Sequence, residues 1–190
     1  HPIVQNGIRS AIGAALGISV VGEAGTAEHG FEAINDQEPD VAIMEVSLPD
    51  GHGFDLLRNL RVQHPGVETV MFSICDEKVY AERALQAGAS GYVMKTSSSE
   101  VLLEAVREVA EGKIYLSEEM RRAVINRVSD RQKEDICFPT DDLTERELQV
   151  FEMVGRGLTV DAIAERLNRA RKTVEAHRRQ AKEKLGCDSV

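Results

Sequence analysis

No stretch of the 190-residue chain is apolar over the roughly 20 residues a helix needs to cross a bilayer. The opening HPIVQNGIRS has no basic stretch leading into an apolar core, so it does not read as a signal peptide. Cysteine is scarce: Cys75, Cys137 and Cys187 lie far apart, without CxxC or Cys/His spacing, which excludes a disulfide framework and a zinc site. Glycine-rich phosphate loops, HExxH and any nucleophile–base pair are missing too, and with them support for an enzyme. No internal repeat or low-complexity tract occurs. These absences point to a soluble, cytoplasmic, non-catalytic protein.

Charge is plentiful but unevenly placed. The net charge of −9 argues against a nucleic-acid partner if taken as one number. Residues 1–142 carry 13 Lys/Arg against 24 Asp/Glu, whereas residues 143–190 carry 10 against 8. Within 168–184 seven basic residues face only Glu175 and Glu183, a local net of +5. An acidic body ending in one basic segment predicts two domains with different partners.

Hydrophobic periodicity over 3–116 alternates between helix and strand. Helices are expected at 3–16, 27–35, 53–63, 78–87 and 99–111, and strands at 18–24, 41–45, 69–74 and 90–95. Strands separated by single helices imply a doubly wound α/β parallel sheet with its functional groups at the carboxyl ends of the strands. Ser97 and Glu100 have capping-box spacing ahead of the fifth helix. A further helix is expected at 117–129, and the polar, proline-containing 130–142 reads as a linker. The expected organisation is a domain over 1–116, helix and linker over 117–142, and a small all-α domain over 143–190. In that last part, Thr144 and Glu147 form a second capping box, GRG at 155–157 makes a turn, and helices follow at 159–167 and 170–185, stopped by Gly186.

Two places carry candidate chemistry. Glu45, Ser73, Tyr92 and Lys95 all fall at or near strand ends on one edge. A carboxylate, a hydroxyl and an ammonium converging there suit an anionic phosphoryl group or a metal-assisted site. From spacing alone an ordinary Glu–Lys surface pair fits equally well. In the helix 170–185, Ala170, Val174, Ala181 and Leu185 share a face directed at Ile163 and Leu167, while Lys172, Ala176, Arg179 and Glu183 point away. Such a helix, following a shorter helix and a tight turn, suits the DNA major groove, although charge alone also fits a solvated amphipathic helix.

The segments HPIVQNGI, VVGEA, PDVAIMEVSLPDGHG, SICDE, QAGASGYVMK and AEGKIYLS resemble, in that order, the receiver domain of two-component response regulators, a flavodoxin-like fold. LTERELQVFEMVGRGLTVDAIAERLNRARKTVEAHRRQAKEKLG resembles the LuxR-type helix-turn-helix of the NarL/FixJ subfamily. The resemblance covers almost the whole chain. It implies that Glu45 stands where the family has its phospho-accepting Asp, Ser73 where a hydroxyl turns to the phosphate, Lys95 where a lysine contacts it, and Tyr92 at the switching aromatic. It implies Mg²⁺ held by the residue at 45 and the backbone carbonyl of Ser47, together with an acidic pair that this sequence does not contain before His1. That pair and a first strand would precede His1, and a last helix used for dimer contacts would follow Val190, so the sequence is expected to be clipped. Asp50 gains no family role.

For the second domain the resemblance implies that Glu175, Ala176 and Arg179 lie nearest base edges, and that Lys172, Thr173, Arg178 and Lys182 meet phosphates. His177 is expected to pack or cap rather than read bases, and Ala170 replaces the usual Ser or Thr cap. The implied partners are double-stranded promoter DNA, a second copy of the chain on that DNA, and a sensor histidine kinase. Glu at 45 either imitates the phosphorylated state or marks a site that no longer works. The implied function is a DNA-binding transcriptional response regulator; an adaptor that docks a protein partner and has lost DNA is the alternative.

Overall fold

The computed structural model describes residues 2–13, 15–129 and 142–186. The chain divides into two compact units, His1–Asp130 and Arg131–Val190. The expected linker at 130–142 lies almost wholly outside the described residues.

The first unit runs α1 (Pro2–Gly13), α2 (Ala27–Gln37), β1 (Val41–Met44), α3 (Gly53–Gln63), β2 (Glu68–Ser73), α4 (Glu77–Ala87), β3 (Gly91–Met94), α5 (Ser99–Ala110) and α6 (Glu118–Ser129). The strands form a parallel sheet in the order β1-β2-β3, with Met44 opposite Met71 and Ser73 opposite Met94. Each strand returns to the sheet through a helix, as parallel pairing requires. Side chains alternate across the sheet. Val70 and Val93 pack with Leu102, Ala105, Val106 and Val109 of α5, and Ile8 of α1 joins this cluster. On α3 the apolar positions Phe54, Leu57 and Leu60 are buried as the periodicity predicts. Phe54 stacks obliquely on Tyr80 of α4, their centroids 6.3 Å apart.

Two expectations fail here. Residues 18–24 form no strand. Their β-branched residues favour extended backbone, but a strand also needs a neighbour for ladder bonds, and β1 at the sheet edge pairs only with β2 among the described residues. Ile18 packs on the core while Val20 and Val21 stay 40% and 51% exposed. The second failure is the capping box on α5. The N-cap is Ser98, not Ser97, and its side chain makes no cap hydrogen bond. Elsewhere the strand limits shift by a residue, so that β1 stops at Met44 and leaves Glu45 just beyond it.

The second unit holds α7 (Glu145–Gly155), α8 (Val160–Arg166) and α9 (Arg171–Leu185). Thr144 opens α7 with the complete capping box, its hydroxyl accepting from Glu147 N and Glu147 accepting from Thr144 N. Val150, Ile163, Ala164, Leu167 and Val174 make one small core. Gly186 ends α9 at φ 63°, the left-handed conformation that glycine adopts without a Cβ clash. Ala170 sits outside the helix as an exposed N-cap, so the packed stripe expected from Ala170 onward begins at Val174.

Candidate functional site

The first candidate site is built by the register of the sheet. Glu45 follows β1, Ser73 ends β2 and Lys95 follows β3, so the parallel pairing delivers all three to one edge. The loop after Glu45 is held down by Gly53 N–H donating to Val46 O at 2.8 Å. A Cβ on Gly53 would stand 2.0 Å from the Glu45 carbonyl oxygen, so only glycine permits this approach.

Both oxygens of the Glu45 carboxylate are engaged. Oε1 accepts from the Ser73 hydroxyl and from Val46 N–H, the latter at 2.8 Å. Oε2 pairs with the Lys95 ammonium. Ser73 is completely buried, whereas the Glu45 and Lys95 side chains are about one-fifth exposed, at 21% and 19%. Partial burial strengthens the pair relative to a surface bridge, and a hydrogen bond to a charged group is worth about 1.5–3 kcal/mol. Lys95 is steadied by its N–H donating to Ser73 O at 2.8 Å, and its ammonium lies 5.9 Å from the Phe72 ring centroid.

Tyr92 reaches this cluster indirectly. Its ring is buried, and its hydroxyl donates to Cys75 O at 2.9 Å, while Cys75 N–H donates to Ser73 Oγ at 3.2 Å. A continuous path of hydrogen bonds therefore runs from Glu45 through Ser73 and Cys75 to Tyr92.

The second candidate site is the outward side of α9. Lys172, Thr173, Glu175 and Arg179 are exposed; Ala176, Arg178 and Lys182 are half-buried. Behind them Val174 and Ala181 are buried, which holds the helix against its own unit by one apolar edge. The short α8, the turn at 168–170 and the longer α9, which carries cations away from its buried edge, have the layout of a helix-turn-helix.

Comparison with known proteins bears on both sites. Residues 1–107 match the response regulator receiver domain, and residues 141–190 match the bacterial regulatory proteins of the luxR family. Response regulator GacA of Pseudomonas aeruginosa is 31% identical over 189 residues, which is 100% of this chain and 87% of GacA. Transcriptional regulatory protein UhpA of Escherichia coli is 36% identical over 98% of this chain and 88% of its own. A solved RcsB response regulator of Salmonella typhimurium shares the fold, with a TM-score of 0.69 at 23% identity over 100% of this chain and 88% of that one.

The chain belongs to the NarL/FixJ-type response regulators. It joins a receiver to a LuxR-type DNA-binding unit, and neither family it matches is a catalytic one. No described helix is long and apolar enough to cross a membrane.

Within the receiver, the residues singled out from sequence converge as a set, with Tyr92 at one remove. The Mg²⁺ expected from the resemblance finds no matching ligand set among the described residues. No group of three His, Cys, Asp or Glu side chains there is placed to hold a metal. Both oxygens of Glu45 are occupied, one by an ammonium that would repel a dication.

Sequence reasoning missed Asp50. Its carboxylate caps the start of α2 from across the receiver, accepting from Ala27 N at 2.8 Å and Glu28 N at 3.1 Å. The Ala27 bond leads in holding its pKa below the usual carboxylate value. No local signal marks this role, because the donors lie more than twenty residues away. In the LuxR-type unit the missed feature is a pair of ties. Lys184 bonds the nearly buried Glu147 at 2.7 Å, and Arg171 bonds Asp161 of α8 at 2.9 and 3.0 Å and Glu175 at 2.9 Å. Burial resists ionisation of Glu147, but the bonds from Lys184 and Thr144 outweigh it and leave its pKa lowered. His177 is half-buried, its Nδ1 fully enclosed and with no hydrogen-bond partner among the described residues.

Proposed function

We propose that this response regulator binds promoter DNA as a homodimer in the cytoplasm, with its receiver held by Glu45 in an arrangement that imitates the phosphorylated state. The carrying observation is that one carboxylate engages Ser73 and Lys95 together. A phosphoryl group offers several oxygens to a hydroxyl and an ammonium; Glu45, one methylene longer than Asp, brings two oxygens to the same partners. The same length misplaces the carboxylate for in-line attack on phosphorus. Its single charge is less than the −1.5 to −2 of a phosphoryl group, so the imitation is partial. In this reading the Lys95 ammonium supplies the positive charge and Mg²⁺ has no part. A sensor histidine kinase would then bind the receiver without transferring phosphate to residue 45.

On DNA, α9 enters the major groove. Arg179 donates to guanine O6 and N7, Glu175 accepts from cytosine N4, and Ala176 makes apolar contact with a base edge. Lys172, Thr173, Arg178 and Lys182 meet phosphates and set register. The exposure of Lys172, Thr173, Glu175 and Arg179 supports α9 as the reading helix, as does the small core that anchors the opposite face.

Gel shifts on a promoter pool across a salt series test the reading. Arg179→Ala should flatten sequence preference, with a loss of about 1–3 kcal/mol on the preferred site. Lys182→Ala should weaken all DNA alike and reduce the salt slope by about one. A wild-type chain that shifts no DNA in the pool would favour the adaptor reading instead.

A further inference from the structure

Arg171 stands at the first position of α9, where a cation beside a DNA-reading helix would ordinarily be assigned to a phosphate. Its guanidinium is already committed. Nη1 donates to both oxygens of Asp161 on α8, at 2.9 and 3.0 Å, and Nε donates to Glu175 Oε1 one turn further along α9, at 2.9 Å. We propose that Arg171 is a specificity-determining positioning residue, which aims the Glu175 carboxylate at its base and makes no phosphate contact of its own. This rests on the reading of α9 as the DNA-reading helix.

Geometry and charge both favour that role. A free glutamate on a helix surface samples many rotamers. Glu175 is tied through one oxygen to a planar group that is itself tied to the neighbouring helix. The tie leaves Oε2 open and Oε1 with spare acceptor capacity, since a carboxylate has about four lone-pair sites. Orienting the acceptor before contact lowers the entropy lost when it meets a base donor. The planar fork of arginine spans two carboxylates at once; a lysine ammonium, with no such fork, does not fix both. The trio Asp161, Arg171 and Glu175 carries a net charge of −1, so it offers phosphates no attraction. Phosphate binding falls instead to Lys172, Arg178 and Lys182.

All three side chains are largely exposed, at 68%, 61% and 48%. Each such contact is weak, so the expected effect is a change in preference of about two- to fivefold. The test uses the full chain and compares Arg171→Lys, which keeps the charge, Asp161→Asn, which removes the anchor, and Glu175→Gln. Affinities are measured for the preferred site and for its three variants at each base pair, over a salt series.

The proposal expects Arg171→Lys and Asp161→Asn to relax preference by about two- to fivefold at the base pair that Glu175→Gln also relaxes. Non-specific affinity after Arg171→Lys should stay unchanged. Unaltered preference in both variants would overturn it. So would Asp161→Asn tightening all DNA equally while preference stands, because Arg171 would then be a phosphate ligand restrained by Asp161. Absence of any sequence preference in the wild type would instead strike the DNA-reading assignment itself.

Discussion

At the scale of single residues, His177 offers a clean check on the LuxR-type unit. Burial lowers its pKa below the ordinary value, with Arg146 and Arg169 adding to the effect and Glu147 opposing it. A lowered histidine pKa means that folding favours the neutral ring. The unfolded chain therefore binds the proton first, and stability falls as pH drops through about 6.5 toward the lower folded value. Thermal unfolding of the wild type and His177→Gln from pH 8 to 5 should show the wild-type midpoint dropping relative to the variant below about pH 6.5. Parallel curves would mean that the ring is solvated. That His177 packs was expected from sequence. Asp50 was not legible, because its partners Ala27 and Glu28 come close only once the sheet has formed. Lys184 is one of the seven basic residues of 168–184, and its tie to Glu147, thirty-seven residues away, was not legible either.

At the scale of elements, caps separate what a sequence states from what it leaves open. Thr144 with Glu147 is an isolated capping box, and the structure forms it in full. Ser97, Ser98 and Ser99 are consecutive, so spacing alone did not choose among them, and the chain starts α5 one residue later than the Ser97–Glu100 pattern implies. Residues 18–24 show the limit of local propensity: a β-branched run becomes a strand only where a neighbour completes its ladder. Ala170 was legible as a missing cap, and α9 indeed begins without a side-chain cap hydrogen bond. Ala170→Ser should therefore stabilise the LuxR-type unit by about 0.5–1 kcal/mol, read as a higher midpoint in denaturant with unchanged slope. No change would mean that the first turn of α9 is already satisfied by water.

At the scale of the whole molecule, the chain divides into an acidic unit, His1–Asp130, and a second unit, Arg131–Val190, whose excess of positive charge is confined to 168–184. The order of the strand-end residues was readable, because parallel topology sends carboxyl ends to one edge. What sequence left even was whether Glu45 and Lys95 form an ordinary surface pair or a centre shared with buried Ser73, and the coordinates give the second arrangement. The central claim proposed from it is that the Glu45 carboxylate holds the receiver in a signalling arrangement without phosphate. The most direct measurement is promoter affinity of the full chain without any phosphodonor, wild type against Glu45→Ala. Coupling between a receiver site and a distant binding surface is typically about five- to 150-fold. The account predicts that Glu45→Ala weakens promoter binding by about fivefold or more while the receiver stays folded; equal affinity in the two proteins would contradict it.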